Sequence, residues 1–518
     1  MDVDNEETSE MQHFYKDKTI FITGGSGFLG KVIIEKLLRT TDVKRIYALI
    51  RAKRGQDMLE RLASWKEDGV FELLLKSNPN CWERITPIAG DCQEPDLGIN
   101  EADRQLLLEQ VQLVVHGAAT VRFVEPLHLA LDINTRATRL MLQLAKHMRR
   151  LEAYVHVSTA FSNCVIQRIN ECFYPEHLTC SADNALALRE KLSDELIDNM
   201  TPALLGRFPN TYTYTKALAE QLVQTEAGDL PLCIFRPGII IGSYKEPVSG
   251  WIDNIYGPIA ILLGTACGIL RIFRVNVHAQ ANMVPVDYCA NLTLASVWQT
   301  AKEDAAHKRK SIGTAAPAAQ LLAPPIYNYV PSDLNLLTWG DFKRKAESLG
   351  HMYPLTKMIW LPFLHTTTTP WLFRLAAFFY HILPGYCIDV VLRLRGRRPR
   401  MLKLYEKIHK NADVLSPFVD SNWYFETRNT QQLRQRLSAQ DQQLFEFDMS
   451  SLDWDDYFYR ALGGMRIYLA KEKPGDESLQ QGKRKLIRFY ILHRLLQFVL
   501  CSGAAAILWS LLKLLVRF

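Results

Sequence analysis

The chain has 518 residues, and 61 lysines and arginines against 55 aspartates and glutamates give it a formal net charge of +6. The length exceeds that of one ordinary domain, and 48% hydrophobic with 22% charged residues excludes wholesale disorder, collagen and coiled coil. Nine basic and three acidic side chains lie in residues 471–518, so the other 470 residues carry no net charge. A neutral body argues against nucleic-acid binding.

The first residues and the cysteines indicate the compartment. Residues 1–14 open with a cluster of carboxylates and no apolar core, which predicts a disordered acidic start and not a signal peptide. The ten cysteines form no C-x-x-C pair, and the histidines lack the spacing of metal ligands. We therefore expect no metal site and a body that faces a reducing, cytosol-like compartment.

A glycine-rich turn follows the first predicted strand. Residues 18–23 are apolar and β-branched, as in a buried parallel strand, and residues 31–39 have helical spacing. This strand–turn–helix context predicts dinucleotide binding. Gly24 would permit the tight turn, Gly27 would let the backbone approach a pyrophosphate, and Gly30 would let helix and strand pack closely. The predicted cofactor contacts are Thr23, Gly24, Gly25, Ser26, Gly27, Phe28, Leu29 and Gly30.

The next two strands predict the type of dinucleotide. The strand at 45–50 ends at Arg51, where an acidic residue would bind the ribose of NAD and a basic one suits the 2′-phosphate of NADP. Lys53 and Arg54 could assist Arg51; a solvated basic turn is the alternative interpretation. The strand at 85–89 is followed by Asp91, placed to accept a hydrogen bond from the adenine amine. NADPH is therefore the predicted cofactor.

Small residues follow a fourth strand, which begins at residue 113. Ala118 and Ala119 leave room for the cofactor. Strands alternate with helical stretches along this half of the chain, which is typical of a parallel sheet. The predicted fold class is α/β, with a Rossmann-type, doubly wound parallel sheet.

A group of hydroxyl and amine side chains predicts catalysis on the same sheet. The strand at 153–157 ends at Ser158 and Thr159, and about fifty residues later Tyr212 and Lys216 are spaced i, i+4 on a predicted helix. The lysine ammonium is expected to pull the tyrosine pKa down from about 10 towards physiological pH. Tyr212 would then be a usable proton donor to a developing alkoxide.

These motifs, in this order, resemble the extended short-chain dehydrogenase/reductase superfamily. The resemblance implies that Thr159 binds the substrate carbonyl oxygen, that Lys216 also contacts the nicotinamide ribose, and that Asn134 supports a proton-relay water. Ser158 stays an alternative to Thr159, and Tyr214 is interpreted as packing. The segment from Arg236 resembles the one that lies along the nicotinamide, which adds Pro237, Gly238 and Ile239 to the cofactor contacts.

A closer resemblance is to fatty acyl-CoA reductases of the animal and insect type. It rests on residues 28–38, 157–163, 209–220, 250–254 and 284–287 and covers about residues 15–465. It implies reduction of a long-chain or very-long-chain acyl-CoA by two NADPH to a primary alcohol, with release of coenzyme A. The motifs leave open an enzyme that stops at the aldehyde. Ala52 and Phe161 depart from the residues usual in the family, and neither removes a catalytic group.

Other functions remain open. A membrane-bound hydroxysteroid dehydrogenase or a sugar-nucleotide epimerase would share the fold and the Tyr212–Lys216 pair. Cys164 would be the nucleophile of an acyl-enzyme route, although most cysteines of reduced proteins are small buried apolar groups. A non-enzymatic NADP-binding scaffold is disfavoured, because Thr159, Tyr212 and Lys216 are all present.

The carboxyl-terminal half predicts a membrane-associated domain. We expect a catalytic domain over 15–330, a helical domain over 350–465, a polar, basic linker over 466–488 and a transmembrane tail anchor over 489–513. Residues 355–394 are strongly apolar, as in an acyl-chain wall, a membrane-apposed surface or an ordinary helical core. The five arginines from Arg393 to Arg400 would meet coenzyme A phosphates, anionic lipid or solvent.

The uncharged stretch 495–512 is just long enough to span a bilayer, and the basic residues on its amino-terminal side place that side in the cytosol. An interfacial helix or an oligomer contact is the alternative for this segment. Peroxisome and endoplasmic reticulum are both plausible destinations, and homo-oligomerisation is left open.

Overall fold

The structure, a computed structural model, describes residues 9–52, 57–313 and 323–515. Its strands, numbered in chain order, are β1 (Thr19–Thr23), β2 (Arg45–Ile50), β3 (Ile85–Ala89), β4 (Leu113–His116), β5 (Ala153–Val157), β6 (Arg168–Ile169), β7 (Leu232–Pro237), β8 (Ile239–Ile241), β9 (Ile272–Arg274), β10 (Met283–Pro285), β11 (Ile326–Tyr329), β12 (His365–Thr367) and β13 (Tyr424–Phe425).

The first helices are α1 (Glu10–Tyr15), α2 (Phe28–Thr40), α3 (Met58–Trp65), α4 (Glu72–Ser77), α5 (Glu101–Gln110), α6 (Leu127–Ala130), α7 (Ala137–Lys146), α8 (Ala182–Lys191), α9 (Asp194–Asn199), α10 (Thr201–Leu205) and α11 (Thr211–Glu226). They are followed by α12 (Gly257–Ala266), α13 (Val286–Gly313), α14 (Trp339–Gly350), α15 (Pro370–Ala377), α16 (Leu383–Leu394), α17 (Met401–Asp420), α18 (Arg428–Gln435), α19 (Ala439–Leu444), α20 (Trp454–Gly464) and α21 (Asp476–Leu515). Segments of π-helix cover Leu131–Arg136, Phe378–Ile382 and Met465–Leu469.

A seven-stranded parallel sheet organises the catalytic half. Its strand order is β11-β7-β5-β4-β1-β2-β3, so the chain runs outward from β1 in one direction and then crosses over to build the other side. This is the doubly wound arrangement, in which ligands bind outside the carboxyl ends of the strands. The predicted Rossmann-type fold class is confirmed.

Alternation along the strands explains how both faces of the sheet are covered. Phe21, Val114 and Tyr154 pack into one core cluster with residues of α7 and α11. Neighbouring residues such as Ile22 and Val155 are also buried, and they point to the opposite face because side chains alternate along a strand. Burial on both faces accounts for the continuous apolar runs of these strands.

The described chain divides into two compact units whose boundaries differ from the predicted domains. Unit 1 comprises 1–252, 279–338 and 417–453, and unit 2 comprises 253–278, 339–416 and 454–518. Residues 417–453, predicted in the helical domain, belong to unit 1 because β13 pairs with β6 and the Thr430 hydroxyl donates to the carbonyl oxygen of Asn328 at 2.8 Å. Residues 253–278, predicted in the catalytic domain, belong to unit 2 because β9 pairs with β12.

The predicted disorder of residues 1–14 is wrong for residues 10–14, which form most of α1. Met11 and Tyr15 lie four residues apart on one helix face and are fully buried. The Tyr15 hydroxyl donates to the carbonyl oxygen of Leu294 at 2.7 Å. The acidic composition of the segment concealed this short apolar face.

The predicted linker over 466–488 also differs from the structure. Arg466 and Glu472 form a buried salt bridge of 3.0 Å, and α21 begins at Asp476 and continues without interruption through the predicted anchor. Within the described residues, two helical stretches are long and apolar enough to cross a membrane, Pro370–Leu394 and Asp476–Lys513.

Candidate active site

The candidate site lies at the carboxyl edge of the sheet. The glycine turn follows β1, Arg51 follows β2, Asp91 follows β3 and Thr159 follows β5. Tyr212 and Lys216 lie on the first turns of α11. Unit 1 therefore gathers at one edge the residues that the sequence had spread over more than 200 positions. Lys53 and Arg54 lie outside the described residues.

The glycine turn is shaped to hold a dinucleotide. Gly24 has a φ of +78°, and a Cβ there would lie 2.7 Å from the backbone of Gly117 and Ala118. A Cβ on Gly30 would lie 2.2 Å from the carbonyl oxygen of Gly24. Gly27 is the N-cap of α2, and no side chain caps the first turn of this helix, which leaves its first amide groups available to a phosphate. The residues present fit a bound dinucleotide.

We expect Gly30→Ala to abolish cofactor binding, because the added methyl group meets backbone atoms that cannot move aside. The measurement is a fluorescence titration with NADPH, with circular dichroism to check that the variant has folded. Gly350→Ala is the matched control, since a Cβ on Gly350 meets nothing within 4 Å outside its own helix. Unchanged NADPH affinity in Gly30→Ala would contradict the assigned role of the turn.

Thr23 connects the glycine turn to the neighbouring strand β4. Its hydroxyl is 2.7 Å from Nδ1 of His116 and accepts a hydrogen bond of 3.2 Å from the amide of Ala118. Burial lowers the pKa of His116 to about 3, so this imidazole is neutral. Thr23 thus positions the turn against the small residues Ala118 and Ala119 after β4.

The predicted catalytic side chains come together. The Lys216 ammonium donates to the carbonyl oxygen of Val157 at 2.7 Å, directly before the strand end that carries Thr159. The Thr159 hydroxyl lies close enough to the Tyr212 phenol to lower its pKa. It also lies 3.5 Å from the carbonyl oxygen of Pro237, the first predicted cofactor contact in the segment from Arg236.

The direction of the Tyr212 pKa shift differs from the prediction. Burial raises the pKa of Tyr212 to about 12, and the neighbouring Thr159 offsets only part of this effect. Burial also lowers the pKa of Lys216 to about 8, against the opposing attraction of Glu220. The prediction counted the lysine charge and omitted desolvation, which is the largest cause for both groups. Tyr212 is therefore a neutral phenol at physiological pH, the form that donates a proton.

A buried ion pair that the sequence did not predict supports the strand end. The Glu220 carboxylate binds the Arg236 guanidinium through two hydrogen bonds of 2.9 and 2.7 Å and also accepts from Ser158 and Asn163. The Ser158 hydroxyl therefore makes a buried structural contact, which favours Thr159 over Ser158 as the predicted substrate contact. The only sequence signal for the pair was its presence in the family-like segments.

Asn134 lies in the π-helical segment, with its side chain fully buried. Its amide oxygen accepts from the Thr120 amide at 2.9 Å, and its amide nitrogen donates to the Thr120 carbonyl oxygen at 3.2 Å and to the Thr215 hydroxyl at 3.0 Å. These contacts connect the helix of Asn134 to α11 between Tyr212 and Lys216. The predicted relay water stays a prediction.

Arg51 after β2, Asp91 after β3 and the predicted catalytic Lys216 all lie within electrostatic reach of Cys92. Arg51 is exposed, and its carbonyl oxygen accepts a hydrogen bond from the guanidinium of Arg61 on α3. Burial raises the pKa of Cys92 to about 12, while the positive charges of Arg51 and Lys216 oppose that rise. Asp91 accepts from the amide of Gln93 at 3.0 Å. Sequence reasoning missed Arg61, because a helical arginine carries no motif of its own.

An aromatic cluster borders Tyr212. The ring of Phe123 stacks on Tyr212 with centroids 5.8 Å apart and contacts Phe418 at 5.2 Å. Phe161, two residues after Thr159, contacts Phe418 and Trp423 with ring centroids 5.3 and 5.4 Å apart. No local motif indicated that residues beyond 417 would reach this region.

Cys164 lies beside the same cluster, as a thiol. Burial raises its pKa to about 12, so almost no thiolate exists at neutral pH. This argues against the acyl-enzyme alternative. Within the described ranges, no group of three or more histidine, cysteine or carboxylate side chains could hold a metal ion.

The chain matches known protein families over most of its length. A family model described as male sterility protein matches residues 22–293, and a second model with the same description matches residues 380–472.

Two solved reductase (R) domains share the fold. The terminal R domain of the myxalamid pathway has a TM-score of 0.54 and 19% identity and covers 89% of this chain and 93% of that one. The R domain of a nonribosomal peptide synthetase from Mycobacterium tuberculosis has a TM-score of 0.52 and 17% identity, with coverage of 87% and 92%.

Curated relatives are similar over nearly the whole chain. Fatty acyl-CoA reductase wat of Drosophila melanogaster is 42% identical over 511 residues, which cover 99% of this chain and 95% of that protein. Fatty acyl-CoA reductase 2 of Homo sapiens is 36% identical over 507 residues, which cover 97% and 93%. Together with a dinucleotide cradle next to a Thr–Tyr–Lys site, this similarity shows that the chain belongs to the fatty acyl-CoA reductase family.

Proposed function

We propose that this protein reduces long-chain or very-long-chain acyl-CoA to a primary alcohol with two molecules of NADPH and releases coenzyme A. The observation that carries the proposal is the convergence of the Thr159 and Tyr212 hydroxyls beside the buried Lys216, at the edge of the sheet where the glycine turn would hold a dinucleotide.

The chain's own residues supply oxyanion binding and a proton. A bound NADPH supplies hydride to the carbonyl carbon. The Thr159 and Tyr212 hydroxyls donate hydrogen bonds to the carbonyl oxygen, where negative charge develops. The neutral Tyr212 phenol then gives up its proton to the alkoxide, a stronger base than phenolate. The Lys216 ammonium stabilises the resulting phenolate.

The same residues serve two rounds of reduction. In the first round the thioester becomes a hemithioacetal. As its C–S bond breaks, coenzyme A leaves as a thiolate, the hydroxyl proton returns to the Tyr212 phenolate, and an aldehyde remains. In the second round Thr159 and Tyr212 bind the aldehyde oxygen, and Tyr212 protonates the alkoxide to give the alcohol. The aromatic cluster of Phe123, Phe161, Phe418 and Trp423 offers an apolar wall for the acyl chain beside Tyr212.

The deciding experiment incubates the detergent-solubilised protein with long-chain acyl-CoA and NADPH and follows thiol, NADPH and lipid product. Release of thiol with two NADPH consumed per thiol supports the proposal. One NADPH per thiol indicates an aldehyde-forming enzyme. No thiol release across saturated long-chain substrates would exclude thioester reduction and favour another dehydrogenase of the superfamily.

NADPH is proposed over NADH because two arginines, Arg51 and Arg61, are in contact in the segment after β2. The Arg61 guanidinium donates to the carbonyl oxygen of Arg51, and burial together with the positive charge of Arg51 lowers the pKa of Arg61. We expect Arg51→Ala to weaken NADPH binding by about 10- to 100-fold, as for loss of a charge-assisted hydrogen bond, and to leave NADH binding nearly unchanged. Cofactor titrations measure both, with the exposed Arg149→Ala as control. Equal losses for NADPH and NADH would refute the phosphate assignment.

We also propose that α21 anchors the protein in the membrane of the endoplasmic reticulum or the peroxisome, with the catalytic unit in the cytosol. Lys483, Arg484, Lys485 and Arg488 precede the uncharged part of the helix and favour the cytosolic side. Protease digestion of intact organelles that carry the full chain tests the orientation. Protection of an amino-terminal tag from protease would contradict it.

A further inference from the structure

In the helical run 370–394 of unit 2, large apolar side chains are exposed and small or polar ones are buried. A helix on the surface of a water-soluble protein has the opposite arrangement. Large apolar side chains lie on the exposed face of the run: Trp371, Leu372, Leu375, Phe378, Phe379, Leu383, Tyr386, Val391 and Leu394. The buried face repeats every four residues and is small or polar, with Ala377, His381, Gly385 and Asp389. We call the exposed set the outer face. Such a patch is expected to have a partner, because exposed apolar surface of this extent is costly in water.

The buried face is held against α17. The His381 ring stacks on Tyr405 with centroids 4.7 Å apart and lies 2.9 Å from His409. A Cβ on Gly385 would lie 3.0 Å from the Tyr405 ring, so the two helices pack closely. The Asp389 carboxylate accepts from the first amide groups of α17, at 2.8, 2.9 and 3.0 Å. The run is therefore one arm of a helical hairpin.

This hairpin is unsuited to crossing a bilayer. The solvent-facing side of α17 carries Lys403, Glu406, Lys407 and Lys410, all exposed. Hydrocarbon around those charges would be costly, so α17 has to stay in water while the outer face seeks an apolar partner. At a bilayer surface, the outer face can lie about 5–10 Å deep among the lipids while the charged side of α17 stays in water.

Contacts with α21 place the outer face at the depth where that helix would enter the membrane. The Trp360 ring contacts Phe489 at 5.7 Å, and the Phe363 ring contacts His493 at 5.3 Å. Phe363 also contacts Tyr380 of the helical run at 5.6 Å. The uncharged part of α21 begins two residues after His493, so this row of rings marks the boundary of the hydrocarbon.

Basic residues at the end of the run complement a lipid surface. Arg393, Arg395, Arg397, Arg398 and Arg400 are exposed, and the charge of Arg393 reaches the Asp389 carboxylate. Guanidinium groups bind phosphate oxygens, and clustered basic residues next to an apolar surface bind anionic headgroups.

We propose that the outer face of residues 370–394 is a monotopic membrane contact, which lies in the bilayer interface beside α21, with the arginines from Arg393 to Arg400 bound to lipid phosphates. The inference does not depend on the proposed reaction, but it rests on the proposed membrane anchoring by α21. It gives unit 2 a fixed attachment to the surface into which a long-chain acyl group partitions.

The test uses the full chain in vesicles, with Cys172, Cys387 and Cys501 changed to serine and one new cysteine labelled with an environment-sensitive dye. In Phe379→Cys the dye should be quenched by lipids brominated near the headgroup severalfold more than in Lys407→Cys, the control on the charged side of α17. Aqueous iodide should show the reverse order. Thermal unfolding checks that both variants fold.

Three results would overturn the proposal. Equal quenching at both positions would place the outer face in water, and quenching at 379 that is strongest with bromines at the bilayer centre would make the run a transmembrane span. Protection of position 379 from both quenchers would mean that protein, such as a second copy of this chain, covers it.

For the arginines, phosphatidylserine should raise lipid quenching at 379, and Arg395→Gln/Arg397→Gln/Arg398→Gln should remove the rise. No effect of phosphatidylserine would refute their role.

Discussion

Tyr212→Phe is expected to reduce turnover by about 10²- to 10⁴-fold, the usual contribution of a positioned proton donor. The substitution removes one hydroxyl and keeps the ring that stacks on Phe123. NADPH should still bind with near-normal affinity, because the glycine turn and Arg51 are untouched. Steady-state thiol release and a cofactor titration measure the two effects.

Tyr214→Phe is the matched control for this substitution. Tyr214 lies on the same helix, and its hydroxyl lies 3.4 Å from both Thr179 and Cys180, with no contact to Thr159. We expect it to keep most of the activity. If Tyr212→Phe kept more than a few per cent of the turnover, or if Tyr214→Phe lost as much, Tyr212 would not be the proton donor.

Glu220→Gln is expected to destabilise the folded protein by about 3–5 kcal/mol, because it leaves the fully buried Arg236 guanidinium without its counter-charge. Glu220 also accepts hydrogen bonds from Ser158 and Asn163, so the strand end that carries Thr159 should loosen. Urea unfolding of the detergent-solubilised protein measures the loss.

Glu226→Gln at the end of the same helix is the control for Glu220→Gln. Glu226 pairs with Arg139 at 2.7 Å, and both side chains remain about one quarter exposed. Exposed pairs of this kind contribute about 0–1 kcal/mol. Similar losses in the two variants would show that the buried pair has no special role. The double substitution Glu220→Leu/Arg236→Met should recover part of the stability, since it leaves no unpaired charge.

Local sequence patterns were sufficient for much of the candidate site. The glycine spacing predicted a turn whose geometry excludes side chains, and Tyr212 and Lys216 lie on one helix face because of their four-residue offset. Alternation of strands and helices predicted that their loops would meet at one sheet edge. These features depend on backbone geometry within a few residues or on the general rules of parallel sheets.

Other features depended on segments far apart in the chain. The Glu220–Arg236 pair, the proximity of Arg51 to Arg61, and the contact of Phe161 with Phe418 required knowledge of which segments pack together. The assignment of 253–278 to unit 2 and of 417–453 to unit 1 likewise depends on contacts between distant segments. The composition of an apolar segment does not show whether it packs within the unit formed by its neighbours in the chain or within the other unit.

The sequence by itself determined the fold class and the family resemblance and predicted the dinucleotide turn and the candidate catalytic residues, because each rests on short spacings read along one chain. The tertiary structure alone decided the environment of those residues. It showed that burial raises the pKa of Tyr212 and keeps the phenol protonated, and that the apolar run 370–394 turns its large side chains outward. Desolvation and exposure are properties of the packed molecule, since they depend on every neighbour that excludes water and not on the adjacent residues.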